Sequence, residues 1–302
     1  MLVPPPFDRL RARVILPAIP VVTLLLLMPG LLIPATRPLA ESLMGAMLIF
    51  DAAIILVLLA AARRAGLDWN RLLGPTPPNT EWRLASIALP LMALSYGGFW
   101  LFWQPLSFLA PDLVQSYALE GMPDLLTRDN PARLILDVVV IVVVAPVVEE
   151  ILFRGILLHR WAARWGMTTG VILSSTLFAI LHIELVGHFF FGVVMAALYV
   201  RTGSLWMPII AHAANNALVV ALTLPDTLSG TEPTTPTMAE FRAEWPAGLV
   251  ALLIGAAVLA WFWRRYGPRG AWRLPYSSAG PAPAPIELAT HTSPDASFGE
   301  AP

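Results

Sequence analysis

Apolar runs recur roughly every 20 to 40 residues along the chain. A bilayer core is crossed by roughly 20 mostly apolar helical residues, each rising about 1.5 Å. Eight stretches meet that need: Val14 to Ile33, Ser42 to Ala62, Leu84 to Trp103, Leu134 to Leu158, Thr168 to Val186, Gly187 to Thr202, Leu205 to Leu224 and Ala247 to Trp263. The sixth is the shortest. The pattern predicts an all-α fold, a polytopic transmembrane helix bundle of about eight helices. The first run is long for the apolar part of a secretory signal, and no small-residue cleavage site follows it, so it is expected to be a retained span.

Between the runs, Gln104 to Arg133 and Pro225 to Trp245 are expected to be outer loops, each with room for short interfacial helices. The chain divides accordingly into N-terminal transmembrane helices and an outer loop (1–133), a helical core (134–224), a loop with the last span (225–265) and a disordered cytoplasmic tail (266–302), which from about Ser277 is Ala, Pro, Ser and Thr without hydrophobic period. Arginine sets the expected orientation. Fourteen arginines fall on the side of Arg9, Arg63 and Arg264, against Arg37, Arg128, Arg133 and Arg242 on the other, which places both termini in the cytoplasm.

Composition agrees: 57% of residues are apolar and 13% charged, outside the range of an ordinary soluble domain. A net charge of −1 gives no overall field pointing to nucleic acid or to acidic partners, and the lipid bilayer is the expected surrounding. All 19 basic residues are arginine, and the absence of cysteine excludes disulfides, thiolate ligands and a cysteine nucleophile.

Ionisable groups inside spans are costly and are functional candidates by default. Glu149, Glu150 and Arg154 stand within six residues of the fourth run. Glu150 and Arg154, four apart, share a helix face and can pair, whereas Glu149 points about 100° away and is left free to act. Phe178 with His182 and His212 with Asn216 repeat the four-residue spacing on the fifth and seventh runs. Converging, these groups would supply a base for water, polar partners for an oxyanion and a helical wall against bulk solvent. The same residues would also suit a structural ion network or interhelical hydrogen bonds.

From Leu134 to Val220 the chain resembles the CPBP intramembrane proteases, which include type II CAAX prenyl endopeptidases and bacteriocin-processing or ABI-like immunity proteins. Glu149-Glu150 with Arg154 is similar to that family's EExxxR motif, Phe178 with His182 to FxxxH, and His212 with Asn216 to HxxxN. The resemblance implies an endopeptidase in which Glu149 activates water with His182, while His212 and Asn216 stabilise the oxyanion and Glu150 and Arg154 hold the helix. "Metalloprotease" is a family label. No cofactor is favoured here, and zinc, if present, would be held by Glu149, His182 and His212, without the compact His-Glu-x-x-His spacing of soluble zinc proteases. A different class remains open: a catalytically silent membrane scaffold, or an ion-coupled transporter using the polar cluster.

One quantity conflicts with convergence. From the expected cytoplasmic ends of the runs, Glu149 and His212 lie roughly 10 to 14 Å deep but His182 about 21 Å, unless the fifth helix projects beyond the bilayer before entering it. Asp51 sits near the middle of a span and calls for a partner. Asp137, Glu184 and His188 are expected to be solvated near an outer face, and His159 and His291 stand outside the site.

Overall fold

The computed structural model describes residues 6–33, 42–77, 81–120, 125–128, 130–182, 184–229, 235–267, 270 and 272–278. Among them the main elements are α1 (Ala12–Leu32), α2 (Leu43–Ala65), α3 (Ala88–Leu109), a composite helix α4 (131–165), α5 (Met167–Ile180), α6 (Leu185–Thr202), α7 (Trp206–Ser229) and α8 (Trp245–Tyr266). No strand occurs among the described residues. Among the described residues six helices are long and apolar enough to cross a membrane, namely α1, α2, α3 with its preceding 3₁₀ turn, α6, α7 and α8. The chain is a multi-pass integral membrane protein.

The fourth and fifth expected spans are of a different kind. Helix α4 starts at Asn130, whose side chain accepts the backbone N–H groups of Ala132 and Arg133, with Pro131 in the first turn. It then changes frame twice, in π turns at Val140–Val144 and Ile151–Leu157 that flank Ala145–Glu150. Helix α5 has only 14 residues.

A hairpin joins them. Gly166, at φ 88°, ends α4 where a left-handed residue is needed, and Gly170 lets the arms touch, since a Cβ there would stand 2.8 Å from the Ala162 nitrogen. The fourth helix thus runs past the expected end at Leu158 to Trp165. The fifth stops before the expected Val186, because Glu184 caps the next helix by accepting N–H groups from Gly187 and His188. Glu149 stands 17 residues before Gly166 and His182 stands 16 after it, so the two lie at about the same height.

The start of α7 is set separately. Leu205 N–H donates to the Leu73 carbonyl at 2.8 Å, and the Tyr199 hydroxyl donates to the Leu72 carbonyl at 3.0 Å. A Cβ on Gly155 would stand 3.2 Å from Leu72 Cδ2, a tight approach, and 3.5 Å from Leu205 Cδ2, which places the foot of α7 beside Gly155 rather than beside the hairpin tip. Counting inward from that level brings His212 to the height of Glu149. The tip of α4 and α5 therefore projects beyond the foot of α7, which removes the depth conflict.

Two other expectations are corrected. Asp137 is 2% exposed, not solvated, and accepts the Thr127 N–H at 2.7 Å. Leu274 and Tyr276 are buried, so the packed chain extends beyond the expected tail boundary at 266; Tyr276 lies edge-on to Phe7 and beneath the Arg71 guanidinium. His291 and most of that tail lie outside the described residues.

Candidate active site

Glu150, Arg154 and His212 form one buried triad. Arg154 donates from Nη1 to Glu150 Oε1 at 2.9 Å, one turn along α4, with the side chains 1% and 0% exposed. His212 Nδ1 reaches the same oxygen at 2.9 Å. An ionised carboxylate only accepts, so the Nδ1 proton lies on that contact and the neutral His212 ring turns a lone pair outward at Nε2. Opposite this nitrogen, at 3.8 Å, is Glu149 Oε2. That oxygen is buried and has no hydrogen-bond partner among the described residues. The adjacent glutamates are therefore unequal: Glu150, although its own Oε2 is also unpartnered, is committed through Oε1 to a cation and an imidazole, whereas Glu149 makes no hydrogen bond among the described residues.

Phe178, fully buried, is the hub around which this cluster is assembled. Its ring lies 4.6 Å from the Arg154 guanidinium carbon, 5.2 Å from Phe153, 5.6 Å from Phe191 and 5.9 Å from His212. Its carbonyl contacts His182 Nδ1 at 2.7 Å. A carbonyl also only accepts, so His182 too directs Nε2 away as a lone pair. The Phe178 ring lies 4.4 Å from that of His182. A cation over an aromatic face in a desolvated site is stabilised by the ring quadrupole, which helps hold Arg154 where Glu150 meets it.

Asn216 is placed differently. Ala145 N–H donates five residues back to Val140, and Pro146 has no N–H, so the Ile141 carbonyl lacks a donor from its own helix. The Asn216 amide nitrogen supplies it at 2.9 Å. One of the two amide hydrogens is thus used to bind α7 to the π turn, and the second is left for another acceptor.

Glu184 and His188 were not singled out as site residues. Glu184 is 6% exposed. His188 Nδ1 contacts the Glu184 carbonyl at 2.7 Å, and its ring lies flat against His182 with centroids 4.3 Å apart. The four-residue step from Glu184 to His188 is visible in the sequence, but only the end of α5 at Ile180 and the new start of α6 at Leu185 turn it onto His182. Asp51, 4% exposed, has one oxygen without a partner among the described residues and lies close enough to Glu149 for the two charges to interact. His159 is buried elsewhere, stacked on Phe7 with its Nδ1 on the Arg154 carbonyl at 3.0 Å.

A metal would find suitable donors in the free Nε2 atoms of His182 and His212, each set by an acceptor on Nδ1 as in metal-ligating histidines. Their placement does not fit one: among the described residues no three His, Asp or Glu side chains converge as a metal-binding group.

Comparison with known proteins falls on the same helices. The family model described as type II CAAX prenyl endopeptidase Rce1-like matches residues 131–218, from the start of α4 to just beyond Asn216. An uncharacterised 24.3 kDa protein of Escherichia coli is 29% identical over 159 residues, which cover 48% of this chain and 68% of that protein. A Bacillus subtilis (strain 168) protein named "Putative membrane peptidase YdiL" is 34% identical over 92 residues, 30% of this chain and 38% of that one. No solved structure matches.

Proposed function

We propose that this multi-pass membrane protein, whose residues 131–218 are similar to the Rce1-like type II CAAX prenyl endopeptidases, is an intramembrane endopeptidase with Glu149 as its general base. One observation carries the reading: Glu149 offers an unpartnered buried oxygen 3.8 Å from His212 Nε2, while Glu150 beside it is held by Arg154.

Water lodged between Glu149 and His182 would give a proton to Glu149 and hydrogen-bond to the His182 Nε2 lone pair, and its oxygen would form the new bond to the peptide carbonyl carbon. The carbonyl oxygen becomes an oxyanion. His212 can donate to it only in a form that has already taken a proton from solvent at Nε2 and keeps it throughout the step, and Glu150 on Nδ1 offsets the charge of that form. The free Asn216 amide hydrogen is the second donor. Collapse breaks the C–N bond, and the leaving amine takes the proton from Glu149. The products are a carboxylic acid, which carries the oxygen of the water, and an amine, which carries its proton, with no redox change.

The substrate is read as a membrane-associated protein or peptide, since the cluster lies between apolar helices. The test is cleavage of a peptide library by the purified full-length protein, comparing wild type, Glu149→Ala and chelator-treated enzyme. Cleavage lost in Glu149→Ala but surviving chelation supports the glutamate mechanism. Loss on chelation would replace it with a metal-dependent one, and no cleavage by correctly folded protein would remove the peptidase reading.

A further inference from the structure

Away from the cluster, an apolar groove of about 560 Å³ runs between α3, α6 and α8. Its shape follows from side-chain size. Helix α8 closes tightly on α3, where a Cβ on Gly97 would stand 2.4 Å from the Leu252 Cβ and a Cβ on Gly255 2.7 Å from the Leu94 nitrogen. Further along α8, Ala256 and Ala260 are four residues apart on one face and too short to fill the space opposite Phe190 and Val193 of α6. Helix α3 forms the floor between these two walls.

One end of the groove is chemically distinct. Trp263 and Arg264 line it, and Arg264 is the only charged residue of the lining. Its neighbours are engaged: Arg201 donates to the Tyr266 carbonyl at 2.7 Å, and Arg265 lies 5.4 Å from the centre of the Tyr266 ring. Arg264 is exposed and makes no hydrogen bond or ion pair among the described residues. Trp263 packs on Trp272 at 5.8 Å, an aromatic pair suited to the boundary between hydrocarbon and headgroups.

We propose that this groove binds an anionic phospholipid, with one acyl chain along Ala256 and Ala260 and the phosphate on Arg264. The apolar walls alone would accept any lipid chain, and a zwitterionic headgroup would bring its own cation towards Arg264. A net negative headgroup completes both ends at once, as in basic pockets between membrane helices. The site is independent of the peptidase reading, but it lies on α6, whose other side carries His188 and Phe191 against the catalytic histidines.

The test is quenching of tryptophan fluorescence in the full-length protein, purified in neutral detergent and titrated with phosphatidylglycerol or phosphatidylcholine carrying brominated acyl chains. Phosphatidylglycerol should bind about fivefold tighter, the scale of one arginine near an anionic headgroup. Arg264→Gln should abolish that preference, Ala256→Phe should weaken both lipids by filling the groove, and Trp263→Phe should remove most of the quenching. Glycerol 3-phosphate should not compete. Equal binding of the two lipids, a preference that survives Arg264→Gln, unchanged binding in Ala256→Phe, quenching that survives Trp263→Phe, or displacement by glycerol 3-phosphate would each overturn the proposal. All three positions are at least partly exposed, and should a variant fail to fold, the wild-type comparison of the two lipids still decides.

Discussion

His182 packs against two rings, Phe178 at 4.4 Å and His188 at 4.3 Å, the latter within 19° of parallel, and these two rings lie 6.0 Å from each other, so the three form one aromatic corner. Glu184 secures the outer ring and caps α6 at the same time. On the proposed mechanism, His188 would act through His182 as a positioning residue. His188→Ala should lower kcat about 10- to 100-fold with KM nearly unchanged, the scale of misplacing a reacting group by about 1 Å. His188→Phe, which keeps the stack, should recover most of the rate. A KM rise with constant kcat would assign His188 to substrate binding instead.

Glu149→Gln should reduce cleavage at least about 100-fold, the contribution of a general base. Folding stability should stay the same or rise, since the variant removes an unpartnered buried carboxylate that interacts with Asp51. Thermal unfolding beside a rate assay reads both. In the wild type, activity should fall as the solution is acidified and Glu149 takes up a proton; a rate profile without an acidic limb would exclude Glu149 as the base.

Arg154→Met should destabilise the fold by about 3–5 kcal/mol, because it leaves the Glu150 charge buried without its cation. Arg154→Lys should recover only part of this, since a lysine keeps the charge but not the planar group above Phe178. Unfolding temperatures of the two variants in one detergent provide the comparison.

Asn216→Leu should cost about 1–3 kcal/mol by leaving the Ile141 carbonyl unpartnered. That cost should shrink in a Pro146→Ala background, where residue 146 can donate an N–H. A stability double-mutant cycle measures the coupling. If Asn216 also serves the oxyanion, its kcat loss should persist in both backgrounds, whereas a purely structural asparagine would regain activity with stability.

Much of the site was legible because its pairs are local. Glu150 with Arg154 and Phe178 with His182 are four-residue steps on a helix, and backbone geometry alone brings such side chains together. The solvated reading of Glu184 and His188 failed because it depended on a helix boundary. A run of apolar residues marks that a helix crosses lipid but not where it breaks, and the start of α6 at Leu185 is made by the Glu184 cap, a contact between side chain and backbone. The π turns of α4 were equally hidden, since every residue in Val140–Val144 is a plausible α-helix former in an apolar setting.

What the sequence determined by itself is the membrane-embedded, all-helical character of the chain and the identity of the polar groups placed inside it, because burial of apolar surface and the cost of intramembrane charge are properties of residue type and spacing. What only the tertiary structure decided is which glutamate is committed and which is bare, and how three helices bring their groups to one height. Those depend on the projecting hairpin at Gly166, the anchoring of Leu205 on Leu73 and the Asn216 bond to Ile141, contacts between residues up to 132 positions apart whose energies no local pattern encodes.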